Sequence, residues 1–118
     1  MTESDPVSAM KLRLREDIRA AMKGGRRAEV DALRTLAGAI DQAEAVPVEH
    51  SPGGALGVQF GDPAAEVPRR QLSAGDLRAV IEAERDEALK VADDLEQHDM
   101  AGEIARYRLR AEILERYL

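Results

Sequence analysis

A chain of 118 residues fits one compact domain, which buries roughly two thirds of the surface its unfolded form exposes. Cysteine is absent, so disulfides, thiolate chemistry and Cys-ligated metal are excluded, and with Phe60, Tyr107 and Tyr117 as the only aromatic residues the core has to come from Leu, Ile, Val, Ala and Met. The net charge of −6 repels nucleic acid at long range, which confines any such binding to a local basic face.

Those apolar residues include good helix formers, and 34% of the chain is charged, a composition that points to an all-α bundle with a solvated exterior. No apolar run approaches the roughly 20 residues a bilayer span needs, and the N-terminus does not have the charged-then-apolar pattern of a signal peptide, so the expectation is a cytoplasmic protein with no membrane partner.

In chain order, Met10, Leu14, Ile18 and Ala21 or Met22 step by four, four and three to four, which predicts a helix over about 7–23. Gly24 and Gly25 interrupt it. Val30, Leu33, Leu36 or Ala37, Ile40 and Ala43 then resume the period over about 27–45, and so short a connection forces the two helices into an antiparallel hairpin. Residues 1–27 carry seven basic side chains (Lys11, Arg13, Arg15, Arg19, Lys23, Arg26 and Arg27) against four acidic ones, a net of +3, while the remainder sums to −9. Four of the five prolines and several glycines fall in the segment 46–72, which predicts an irregular, partly ordered loop in which Leu56, Val58 and Phe60 alternate as a short strand or extended piece would.

Order returns at LSAGDL. Ser73 is placed to cap and Asp76 to reach back as a capping box, with Leu72 and Leu77 as a hydrophobic staple, so a third helix is predicted over about 74–97 with the stripe Leu77, Val80 or Ile81, Glu84, Ala88, Val91 and Leu95. Asp99 is expected to cap a fourth helix over about 100–117, whose seam is Met100, Ile104, Tyr107, Ala111, Leu114 and Leu118. Asp86 with Lys90, Arg108 with Glu112, and Glu112 with Arg116 are spaced for i,i+4 ion pairs. The chain therefore reads as a four-helix bundle of two helical hairpins joined by a long Pro/Gly-rich loop, a single domain over 1–118.

No catalytic constellation stands out. The stretch GGALGVQFG has neither a GK[ST] ending nor a helix directly after it, so it reads as a loop and not a phosphate cradle. Neither His50 nor His98 follows a Glu by three residues, as bundle metal sites require, and the carboxylates of the third helix read as a solvated face. Glu84 is the exception because it falls on the apolar stripe, where a lone charge is costly; an Arg from a neighbouring helix is expected to pair with it, and Arg34 is one candidate. The remaining chemistry is basic. The first helix and its turn form one set, and Arg106 and Arg110 flanking Tyr107 form another; these cations suit RNA phosphates and the ring suits an exposed base, or else Tyr107 is core and the arginines meet acidic neighbours.

The segments LREDIRAAMKGG (14–25), LRTLAGAIDQAE (33–44), the LSAGDL helix start and AEILERYL (111–118) resemble the N-terminal helical domain of YqeY-like proteins, of the GatB/YqeY family. The resemblance implies an all-α bundle with no cofactor and no known stand-alone reaction, linked to tRNA or to tRNA-modifying partners such as the tRNA-dependent amidotransferase. It also implies a shorter connection than residues 46–72 and a smaller second domain after the position of Tyr117 and Leu118, which this sequence lacks. The function expected is a non-catalytic interaction module accessory to tRNA-related metabolism, binding through Lys11, Arg13, Arg15, Arg19, Lys23, Arg26, Arg27, Arg106 and Arg110, with no metal and no DNA. The alternatives are a protein-docking or self-associating bundle that uses the fourth helix and, more weakly, amidotransferase-like carbon–nitrogen ligase activity with glutamine as amido donor. AEILERYL has no closing glycine, asparagine or proline; Leu114 and Leu118 are expected in the core, Arg116 and Tyr117 at an exposed end open to a partner, and the last turn frayed unless covered.

Overall fold

The computed structural model describes residues 5–45 and 70–118, and within them the chain forms helices α1 (Pro6–Lys23), α2 (Arg27–Glu44), α3 (Ala74–Glu96) and α4 (Ala101–Glu115). The fold is all-α. α1 pairs with α2 and α3 with α4, α2 lies against both helices of the second hairpin, and α1 reaches α3. The anticipated strand around Leu56, Val58 and Phe60, the loop over 46–69, the glycine-rich stretch and His50 lie outside the described residues.

Each helix start and stop has a local cause. Asp5 caps α1 by accepting from the Ser8 N–H at 3.3 Å, and Pro6 at the first helical position loses no hydrogen bond there. At the other end Gly25 takes φ = 70°, and the Arg26 and Gly25 N–H groups donate back to the Ala21 and Met22 carbonyls at 2.9 and 3.2 Å; this left-handed glycine turn reverses the chain into α2. Ser73 and Asp76 form the expected capping box, each side chain accepting from the other's N–H at 3.0 Å. The hydrogen bond from the Ser73 N–H first, and the Ser73 side chain second, hold the Asp76 carboxyl below its usual range, so their support is present above the ordinary carboxylate pKa and is lost as pH falls through the lowered one.

The fourth helix starts differently from the expectation. Asp99 does not cap it. Asp99 adopts φ = 56°, a left-handed conformation that Asp tolerates better than most residues, to turn the chain out of α3, and Met100 becomes the N-cap without a side-chain hydrogen bond.

Leu14, Leu33, Leu36, Ile40, Ile81, Ile113 and Leu114 are the largest fully buried side chains, and Val7, Leu72, Leu77 and Tyr117 complete the cluster around them. The stripes of α1 and α2 are as expected, and so is the burial of Leu72 with Leu77. Two details of α3 and α4 differ. On α3, Ala88 and Ala92 are buried while Val91 and Leu95 stay half-buried, so small residues line its inner face. On α4, Ile113 and Tyr117 are buried beside the seam residues Ala111 and Leu114, because the end of this helix faces α2 as well as α3; Met100, at the opposite end, is exposed.

The i,i+4 pairs expected on the outer faces are replaced. Lys90 bonds Asp94 at 3.1 Å and not Asp86, Arg108 crosses to Glu96 on α3, and Arg116 crosses to Glu29 on α2 at 3.6 Å. Interhelical carboxylates compete with the intrahelical ones.

Candidate functional site

Seven of the nine basic residues singled out from the sequence line α1 and its turn, and the structure divides the nine into two groups. Five face inward or are engaged. Lys11 reaches Glu44 at 2.6 Å and Asp41 at 3.2 Å, bracing α1 against the end of α2; the hydrogen bond to Glu44 is the main cause of its raised pKa. Arg13 lies 4.2 Å over the Tyr117 ring and donates to the Arg116 carbonyl at 3.0 Å. Arg26 pairs with Glu29 at 3.2 Å. Arg106 pairs with Glu103 at 3.2 Å and stands 5.6 Å from the Tyr107 ring, which Arg110 approaches from 5.0 Å. Tyr107 is half-buried with cations over its ring, so the set around it is an internal arrangement more than an open stacking platform.

The other four, Arg15, Arg19, Lys23 and Arg27, are exposed and form no ion pair or ring contact among the described residues. Arg15, Arg19 and Lys23 recur every four residues, so they climb one side of α1 in steps of about 6 Å. Arg27 follows as the first residue of α2, just past the glycine turn. The result is a basic ridge on an acidic protein. Leu12 and Met22, both more than half exposed, lie beside it.

Where α1 ends and α2 begins, the ridge runs into a concavity of about 430 Å³ lined by Met22, Arg26, Arg27, Val30, Asp31 and Arg34, with Ala21 and Gly25. Arg34 was expected beside Glu84, and that pairing is not formed. Its exposed guanidinium turns the other way and donates to the Met22 sulfur at 3.8 Å, because α2 presents this residue on the face that carries Arg27, seven residues or two turns earlier. That seven-residue spacing from Arg27 is the signal in the sequence that puts Arg34 on the same face as the turn cations, and the expectation of a Glu84 pair passed over it.

Glu84 has Arg110 for its compensating charge. The carboxyl is half-buried on α3, where desolvation first and the neighbouring Glu87 second raise its pKa while Arg110 opposes the shift. With the folded pKa above the unfolded one, the penalty is absent at acidic pH, develops as pH rises from the unfolded towards the folded value, and is complete at neutral pH. Glu84→Gln should therefore raise the melting temperature at neutral pH by a few degrees, and the gain should vanish when melts are repeated below the ordinary glutamate pKa.

At the C-terminus Leu114 is core and Arg116 exposed as expected, but Tyr117 is not where the sequence placed it. Tyr117 is buried, donates its hydroxyl to Asp17 and packs under Arg13; burial and then that hydrogen bond raise its pKa, so the phenol stays protonated. Arg116 is tied to Glu29, whose carboxylate also holds Arg26. The last turn is pinned at three points, against the expectation that it frays and that Tyr117 offers an exposed end; Leu118 is half-buried.

No group of three or more His, Asp or Glu side chains among the described residues is arranged to hold a metal ion, and no described helix is long and apolar enough to cross a membrane. Compared with known proteins, the chain matches no family model, no curated protein and no solved structure.

Proposed function

We propose that this protein is a helical RNA-docking module, accessory to tRNA-related metabolism, which grips phosphates through the α1 ridge and carries out no reaction of its own. The observation behind this reading is that Arg15, Arg19 and Lys23 stand exposed a turn apart along α1, with Arg27 just past its turn, and that none of the four forms an ion pair among the described residues, although acidic residues outnumber basic ones in the chain. Helical bundles with an acidic excess usually pair or intersperse their cations; a line of unneutralised ones a helical turn apart suits a phosphate backbone. The resemblance of the α1, α2 and α3 segments to YqeY-like proteins supports tRNA as the RNA.

The test is tRNA binding across a salt series. Four phosphate contacts give a plot of log affinity against log salt with a slope of roughly −3, at about 0.7 to 0.9 per contact. Binding that is undetectable at low salt, or that ignores salt, overturns the reading. A second reading, docking of a protein or of a second copy on α4, is favoured by the exposure of Met100 and Leu109 on that helix. Light scattering that reports a monomer at every concentration, together with no protein partner on affinity capture, removes it.

A further inference from the structure

We infer that the concavity at the α1–α2 turn is a seat for a phosphomonoester, so that the ridge holds the body of a strand and the turn holds its terminal phosphate. This rests on the RNA-docking reading and adds what the ridge alone does not specify, namely which part of the strand lies where.

The ridge cations are spread along a helix, one per turn, which suits diester phosphates carrying one charge each. At the turn the arrangement changes. Arg26, Arg27 and Arg34 line one concavity of about 430 Å³ together with Asp31; Arg26 is already paired with Glu29 at 3.2 Å, so Arg27 and Arg34 are the two cations the concavity leaves open. Guanidinium groups bind phosphate oxygens in paired, parallel hydrogen bonds, and a monoester offers up to three free oxygens and close to two charges at neutral pH. Concentrated positive charge of this kind is mismatched to a single diester and matched to a terminal phosphate.

The seat is also held in shape. Arg26 folds back across the turn into the space that a Cβ on Gly24 would fill, so a side chain there would displace its guanidinium. Glu29 fixes the Arg26 Nε at 3.2 Å and is itself held by Arg116 at 3.6 Å, so Arg26 braces the wall of the seat while Arg27 and Arg34 supply its open charge. Arg34 has only the weak contact with the Met22 sulfur to give up. Met22 and Val30 supply an apolar wall beside the cations, against which a sugar or base of the terminal nucleotide packs.

The probes are inorganic phosphate and a short oligoribonucleotide with either a 5′-phosphate or a 5′-hydroxyl, labelled at the other end, titrated into the full chain. The 5′-phosphate is expected to tighten binding by about tenfold, the equivalent of one charge-assisted hydrogen bond. Arg34→Ala should abolish that difference while leaving the 5′-hydroxyl strand bound within about twofold, and Arg34→Lys should restore only part of it, since an ammonium lacks the paired donors. Arg34 is exposed, so both variants are expected to melt as the wild type does, and a melting curve checks this. Equal affinity for the two strands, or a difference that survives Arg34→Ala, overturns the seat while the ridge stands. Neither strand binding, with phosphate still shifting the amide resonances of Arg26, Arg27 and Arg34, overturns the ridge and keeps the seat; silence in both arms overturns both.

Discussion

Tyr117→Ala is expected to cost about 3–5 kcal/mol, the range for removing a large aromatic side chain from a core, and so a large share of the roughly 5–15 kcal/mol that keeps a domain of this size folded. The ring lies in the same cluster as Leu14, Leu77, Ile113 and Leu114, stacks under Arg13 at 4.2 Å and sends its hydroxyl to Asp17. Tyr117→Phe separates these contributions, because it keeps the packing and the ring face and removes only the hydroxyl; its cost should be about 1–2 kcal/mol, that of leaving a half-exposed carboxylate without one donor. Urea denaturation followed by circular dichroism reads both variants. If Tyr117→Ala melted within a degree of the wild type, the pinned C-terminal turn would be wrong.

The second large effect concerns binding. Reversing two ridge charges together, Arg19→Glu with Lys23→Glu, should weaken tRNA binding by on the order of a hundredfold at low salt and reduce the steepness of the salt dependence by about two contacts. Both side chains are exposed and form no ion pair among the described residues; the reversal costs about 1 kcal/mol, through the helix dipole at Lys23 and a like-charge i,i+4 pair, which a melting curve checks, and the fold should persist. Arg106→Gln is the matched control, since that residue already spends its charge on Glu103 and the Tyr107 ring; binding should stay within about twofold. A fall as large for Arg106→Gln as for the ridge pair would place the contact surface on α4.

What the sequence could reveal divides along a physical line. The burial of Leu14, Leu33, Leu36 and Ile40 follows from a period of 3.6 residues within one helix, and the Ser73 capping box follows from two residues three apart; both are local and both were readable. Asp99 was misread because a residue suited to an N-cap is also one of the few that enter a left-handed turn, and the backbone needed the turn. Arg34, Arg108, Arg116 and Tyr117 were misplaced for another reason: each chooses its partner on a different helix, and no spacing within a helix records which neighbour lies opposite. The candidate site followed the same rule. Seven of the eight cations of the first hairpin stand out as residues, all but Arg34, but only the fold shows that Lys11, Arg13 and Arg26 are engaged by Glu44, Tyr117 and Glu29, and that Arg15, Arg19, Lys23 and Arg27 remain available.

The backbone N–H of Arg70 donates to the carbonyl of Glu44 at 2.7 Å, so the chain re-enters the bundle at the place where it left. The α1 ridge is built entirely from residues before that closure, so its cations belong to the first hairpin alone.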